Sequence, residues 1–115
     1  MSNIDLQEKS RRFSFKVKNF VKIHPEDFVI YEISHQLLRC RVSVGANTRA
    51  AFKGRTKKDF IAKLGVVIEE SDECIYWLDM LSNEDKGDAI ELDMLRKEAI
   101  SLTKIFVSVR NKHKL

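Results

Sequence analysis

A single proline and four glycines in 115 residues leave this chain few places to turn, so it must be built from a few long elements. The two cysteines, Cys40 and Cys74, sit among apolar neighbours at helical spacing and read as buried free thiols. Free thiols suit a reducing cytoplasm. No Cys/His spacing of the metal-binding kind is present. The start of the chain has neither the basic nor the apolar region of a signal peptide. No apolar run approaches the roughly 18 residues a membrane span needs. A cytoplasmic protein without a membrane partner is the expectation. A Gly-rich phosphate loop, a nucleophile elbow and a Ser/His/Asp arrangement are all missing. Glu32 and His35 have Glu-x-x-His spacing, but a di-iron bundle needs two such motifs and two more carboxylates. No catalytic residue, metal or cofactor is therefore expected.

What the chain does have is charge, unevenly spread. Residues 1–63 carry 14 Lys/Arg against 6 Asp/Glu, residues 64–98 carry 3 against 11, and residues 99–115 carry 4 against none. The net charge is +4. Such polarity can steer a polyanion to one side, or pair one part of a bundle with another.

Apolar residues recur at alternating steps of three and four in four segments, which predicts four helices over about 4–23, 26–54, 57–82 and 88–111. The seams are Leu6, Ser10, Phe13, Val17 and Phe20, widened by Phe15 and Val21. Then come Ile30, Ile33, Leu37, Cys40, Val44, Asn47 and Ala51. The third is Phe60, Leu64, Val67, Ser71, Cys74, Leu78 and Leu81, and the fourth Leu92, Leu95, Ala99, Leu102, Phe106 and Val109. His24 to Asp27 form a break in which Pro25 suits a first helical turn. Gly54 is placed to end the second helix, Thr56 to cap the third, and residues 82–88 form a polar loop. Short loops and a period near 3.5 give an up-down-up-down antiparallel four-helix bundle, all-α, one domain over residues 1–115. Phe28, Tyr31, Val66, Ile75, Trp77, Met94, Ile100 and Ile105 lie off the seams and suggest a second apolar surface for a subunit interface.

Ser43-Val44-Gly45-Ala46-Asn47, Arg49, Lys57-Lys58-Asp59-Phe60-Ile61, Lys63-Leu64, Glu69-Glu70, Glu73 and Tyr76-Trp77-Leu78 carry a family likeness. Together they resemble the four-helix-bundle proteins encoded in intervening sequences of bacterial 23S ribosomal RNA genes. Those proteins are similar to the accessory protein of diversity-generating retroelements. The resemblance is specific over about residues 36–81. It implies a ring-like homo-oligomer, a pentamer, and a non-enzymatic role. The retroelement branch implies a basic scaffold that binds nucleic acid and a protein partner.

The basic run is the candidate binding surface: Arg39, Arg41, Arg49, Lys53, Arg55, Lys57, Lys58 and Lys63. At about 100° per residue, Arg39, Arg49, Lys53 and Lys57 would share an arc of roughly 80° on one continuous helix. Cations so spaced meet successive phosphates, and arginine does so bidentately. No aromatic alternates with them, so contact with the RNA or DNA backbone is expected rather than base stacking. Gly45, Ala46 and Asn47 are expected to serve close helix approach and register, and Tyr76 and Trp77 core or subunit contacts. The alternative is a protein–protein scaffold whose charges serve assembly, with no nucleic acid.

Overall fold

The computed structural model describes residues 3–21, 26–84 and 89–114. They form four α-helices, α1 (Asn3–Phe20), α2 (Phe28–Phe52), α3 (Lys57–Asn83) and α4 (Ala89–His113). There is no strand among the described residues. Helix α1 lies against α2 and α4, and α3 lies against α2 and α4, so the four stand at the corners of a square. Each neighbouring pair is antiparallel. Ser10 meets Thr48 while Ser14, one turn on, meets the earlier Arg41. Phe52 meets Phe60, and Arg39 meets Glu73. Phe60 meets His113, and Asp79 meets Arg96. The result is a four-helix bundle about 48 Å long and 22 by 19 Å across.

The helix ends follow from caps. Asp27 is the N-cap of α2: its backbone is extended, and its carboxylate accepts from the N–H groups of Val29 (3.1 Å) and Ile30 (3.2 Å). The helix therefore starts at Phe28, two residues later than the spacing suggested, because Asp27 takes donors that a further turn would have used. The breaker Pro25 and the loop residues 85–88 lie outside the described residues. Asp27→Ala is expected to cost about 1 kcal/mol in urea unfolding. At α3 the Thr56 hydroxyl accepts from the Asp59 N–H at 3.1 Å. Helix α2 ends at Phe52, with Lys53 as its C-cap. Gly54 follows the cap and is not in the left-handed region. A Cβ there would sit 3.1 Å from the Ala51 carbonyl oxygen, so it is close approach that favours glycine.

The seams meet in one core. Phe13, Val17, Leu37, Cys40, Val44, Leu64, Val67, Cys74, Leu78, Ala99 and Phe106 are wholly buried. Fully burying a large apolar side chain stabilises by roughly 1.5–3 kcal/mol. Packing of this kind, rather than intrinsic propensity, is what holds such helices. Both cysteines are buried and free.

Two seam assignments change. Asn47 is half-buried, and Thr48 occupies the core position. After Val44 the stripe takes its four-residue step before its three-residue one. Thr48 can take that place because its hydroxyl donates to the Val44 carbonyl at 2.6 Å and accepts from Ser10 at 3.3 Å. Asn47 instead donates its amide to Ser43, to the carbonyl at 2.9 Å and the hydroxyl at 3.1 Å. Phe15 does not widen the α1 seam; it is exposed, with the Arg11 guanidinium 4.9 Å from its ring centre.

The off-seam apolar residues divide. Ile75, Trp77 and Ile105 pack against the core, whereas Phe28, Tyr31, Val66 and Met94 are exposed. Tyr76 is also exposed, its ring edge-on to Trp77 at 4.9 Å.

Helix α2 is continuous through Gly45. A Cβ at Gly45 would lie 3.9 Å from the Ser14 hydroxyl oxygen, an ordinary contact. Gly45→Ala is thus expected to raise stability by about 0.5–1 kcal/mol in the same unfolding assay.

Candidate nucleic-acid interface

The antiparallel order brings the C-terminal ends of α2 and α4 and the N-terminal ends of α1 and α3 to one end of the bundle. Three rings pin that end. Phe52 and Phe60 lie 5.3 Å apart, and Phe60 meets the edge of His113 at 4.8 Å. The His113 Nδ1–H donates to the Val109 carbonyl at 2.8 Å, which ties the ring to its own helix. Around this cluster stand Lys53, Arg55, Lys57 and Lys58, all exposed, from the α2–α3 turn. Arg110 and Lys112 join them from the last turn of α4. Cations at the C-termini of α2 and α4 also face the negative ends of those helix dipoles, which is favourable to the fold.

The α4 cations were absent from the sequence-based site. They lie about fifty residues from the turn, and only the up-down topology places them beside it. The opposite end gathers acid: Asp79 and Glu84 on and after α3, and Glu91 and Asp93 at the start of α4. Asp79 and Asp93 pair there with Arg96, and Asp93 also with Lys97.

The rest of the basic run is dispersed. Arg39 does not share a face with Arg49. Its guanidinium turns to α3 and pairs with Glu70 at 3.4 Å and Glu73 at 2.5 Å. Arg41 turns the other way, half-buried, and donates to the Ser14 hydroxyl on α1 at 3.3 Å. Arg49 is exposed beside the α1–α2 groove, and Lys63 is exposed on α3 beyond the turn. Lys57 opens α3 rather than continuing α2. The single stripe breaks up because its outer members fall on opposite flanks of α2. Glu32 and His35 are both exposed, and the His35 ring stacks on Tyr31 at 5.8 Å.

Between α2 and α3 lies a second polar cluster. The buried Cys40 thiol donates to the Glu73 carboxylate at 3.0 Å, and Arg39 bridges Glu73 and Glu70. The ligand atoms of Cys40, Glu70 and Glu73 lie within 4.8 Å of one another, a set that could hold a metal ion. The Arg39 guanidinium already supplies the positive charge these acids need, so a cation would have to displace it. Sequence spacing could not show this trio, because α2 and α3 contribute its members some thirty residues apart.

The Cys40 thiol is pushed up, first by its hydrogen bond with Cys74, then by burial and Glu73. That makes it a poor nucleophile. The Glu73 carboxyl is held below its usual range, chiefly by the Cys40 hydrogen bond, with Arg39 adding and partial burial opposing. A depressed carboxylate stabilises the fold fully above its unfolded pKa, about 4.3. That contribution is lost as pH falls through the lower folded value. Glu73→Gln is therefore expected to flatten the acid-side fall of Tm below about pH 4, measured by circular dichroism.

Over residues 2–108 the chain matches the family described as "23S rRNA-intervening sequence protein". It belongs to that family. Among solved structures it is similar to a protein of unknown function from the S23 ribosomal protein family of Bacteroides thetaiotaomicron VPI-5482. The TM-score is 0.84 at 27% identity, covering 96% of this chain and 99% of that one. No curated protein matches. The family match and the likeness to this solved structure agree with the four-helix architecture. No described helix is long and apolar enough to cross a membrane.

Proposed function

We propose that this protein is a cytoplasmic, non-enzymatic scaffold whose basic bundle end binds the backbone of RNA or DNA. The observation that carries the reading is the meeting of two remote basic segments, Lys53 to Lys58 and Arg110 to Lys112, around one aromatic cluster. Cations whose backbones are held at helix ends have only their side chains left to order when they meet phosphates. An end face of about 22 by 19 Å is wide enough for several phosphates, since duplex DNA carries one charge per about 1.7 Å of axis. Phe52 and Phe60 are half-buried and pack against each other and His113, which leaves little ring surface for stacking a base. Recognition would be of the backbone and weakly selective for sequence.

Self-association belongs to the same proposal. Phe28 is 74% exposed, Met94 65% and Tyr76 56%, large apolar side chains that a subunit contact would cover. The family likeness read from the sequence implies a homopentameric ring, and its retroelement branch implies a docked protein partner. Native mass spectrometry would test the ring: a monomer at micromolar concentration would remove it from the proposal.

The test of binding is fluorescence anisotropy of labelled structured RNA and duplex DNA across a salt series. Affinity should fall with a log–log slope of about 0.9 per neutralised phosphate on duplex DNA. No binding to either probe at low salt would overturn the nucleic-acid reading. The pairing of Arg39 with the α3 acids favours a second reading, in which charge serves helix and subunit pairing and the partner is a protein.

A further inference from the structure

The groove between α1 and α2 holds about 660 Å³, is open to solvent, and runs along the flank of the bundle from Ile4 and Arg49 near the basic end to Phe15 and Arg41. Its walls combine two chemistries. Arg11, Arg41 and Arg49 bring three guanidinium groups to it, and Glu8 is the acid that lines it. Glu8 is already shared between Arg11 and Arg12, both at 3.3 Å. The groove therefore keeps an excess of positive charge. Arg41 is the most enclosed of the three: one of its Nη atoms is bonded to Ser14, and its Nε is buried without a partner. Beside these groups stand Phe15 and Val42, 45% and 52% exposed, with the Phe15 ring held under Arg11.

The floor is Gly45. A glycine inside a helix weakens it, and at this position neither backbone conformation nor packing calls for one, since a Cβ would meet only an ordinary contact. What the missing side chain does provide is depth in the groove. Volume, apolar walls and a few convergent polar groups are the usual composition of a small-ligand site.

The geometry points to an amphipathic anion as the occupant: one phosphate or carboxylate head against Arg41 and Arg49, and an apolar body against Phe15 and Val42. Charge complementarity selects the head, and the exposed apolar wall selects the body. A nucleic-acid backbone satisfies the arginines but sets its charged oxygens against Phe15 and Val42. The inference stands apart from the nucleic-acid reading and does not depend on it.

The experiment is isothermal titration calorimetry of the full chain with octyl phosphate below its micelle concentration, and with octanol and inorganic phosphate separately. One saturable site per chain for octyl phosphate is expected, with either fragment weaker by at least about tenfold. Arg49→Glu should weaken octyl phosphate about ten- to a hundredfold, the scale of a lost charge-assisted hydrogen bond. Val42→Ser should weaken it several-fold and leave duplex-DNA anisotropy unchanged. Gly45→Leu should block the groove, and Val42→Ser keeps the test alive if that variant does not fold. Absence of saturable binding overturns the proposal, as it would if a second copy or a partner segment already fills the groove. Binding that ignores both Arg49→Glu and Val42→Ser overturns it too, since the anion would then sit elsewhere.

Discussion

Reversing Lys53 and Lys58 together to glutamate is expected to weaken RNA and duplex-DNA binding by about a hundredfold at physiological salt. Both side chains are exposed, one at the α2 C-cap and one in the first turn of α3. Each reversal removes an attraction to a phosphate and adds a repulsion in its place. The fold should tolerate the change. Glutamate at position 58 faces the positive end of α3, which is favourable, while glutamate at position 53 faces the negative end of α2, at a cost of roughly 0.3–1 kcal/mol. The control is Lys18→Glu with Lys104→Glu, which alters net charge equally at exposed positions away from the turn. If the two pairs weaken binding alike, net charge is acting and the end face is not a site. If the turn pair alone does so, and the salt slope drops by about two contacts, the cations of the turn lie on phosphates.

The core was legible in the sequence because burial repeats with the helix. Leu37, Cys40 and Val44, or Leu95, Ala99 and Leu102, can be picked out by spacing alone, and the packed helices bury them. The exchange of Asn47 for Thr48 was not legible, since one irregular step in the stripe is decided by which polar side chain can satisfy itself in the core. Thr48 reaches the Val44 carbonyl and the Ser10 hydroxyl; an amide there would need more partners. The site was less legible than the core. Lys53 to Lys58 are contiguous and were seen, whereas Arg110 and Lys112 needed the topology to bring them alongside. Arg39 looked like part of a solvent-facing stripe because nothing local shows Glu70 and Glu73 across the α2–α3 interface. A charge's partner is set by tertiary packing, and a period along one helix carries no information about it. Glycine shows the same limit: Gly54 reads as a helix stop, but its tight approach to the Ala51 carbonyl appears only in three dimensions.

Phe60→Ala is expected to loosen the basic end without changing a single charge. Phe60 is half-buried at the junction of three helix ends, its ring against Phe52 on one side and His113 on the other. Truncating a fully buried phenylalanine costs about 3–5 kcal/mol. Half-burial brings the expectation here to about 2–3 kcal/mol, read from urea unfolding followed by circular dichroism. The local consequence matters more for binding. Without the Phe60 ring, the last turn of α4 loses the ring contact with α3 made by His113, and Arg110 and Lys112 are held less firmly beside the turn. Cations that must be ordered on binding give up part of their attraction as conformational entropy, roughly 1.5–2 kcal/mol for a fully immobilised long basic side chain. Nucleic-acid affinity should therefore fall by about tenfold at a temperature where the variant remains folded. Phe60→Leu, which restores apolar volume without the ring, should recover most of the stability and much of the affinity. A folded Phe60→Ala protein that binds as tightly as the parent would mean that the α4 cations contribute nothing, and that any nucleic-acid contact belongs to the α2–α3 turn alone.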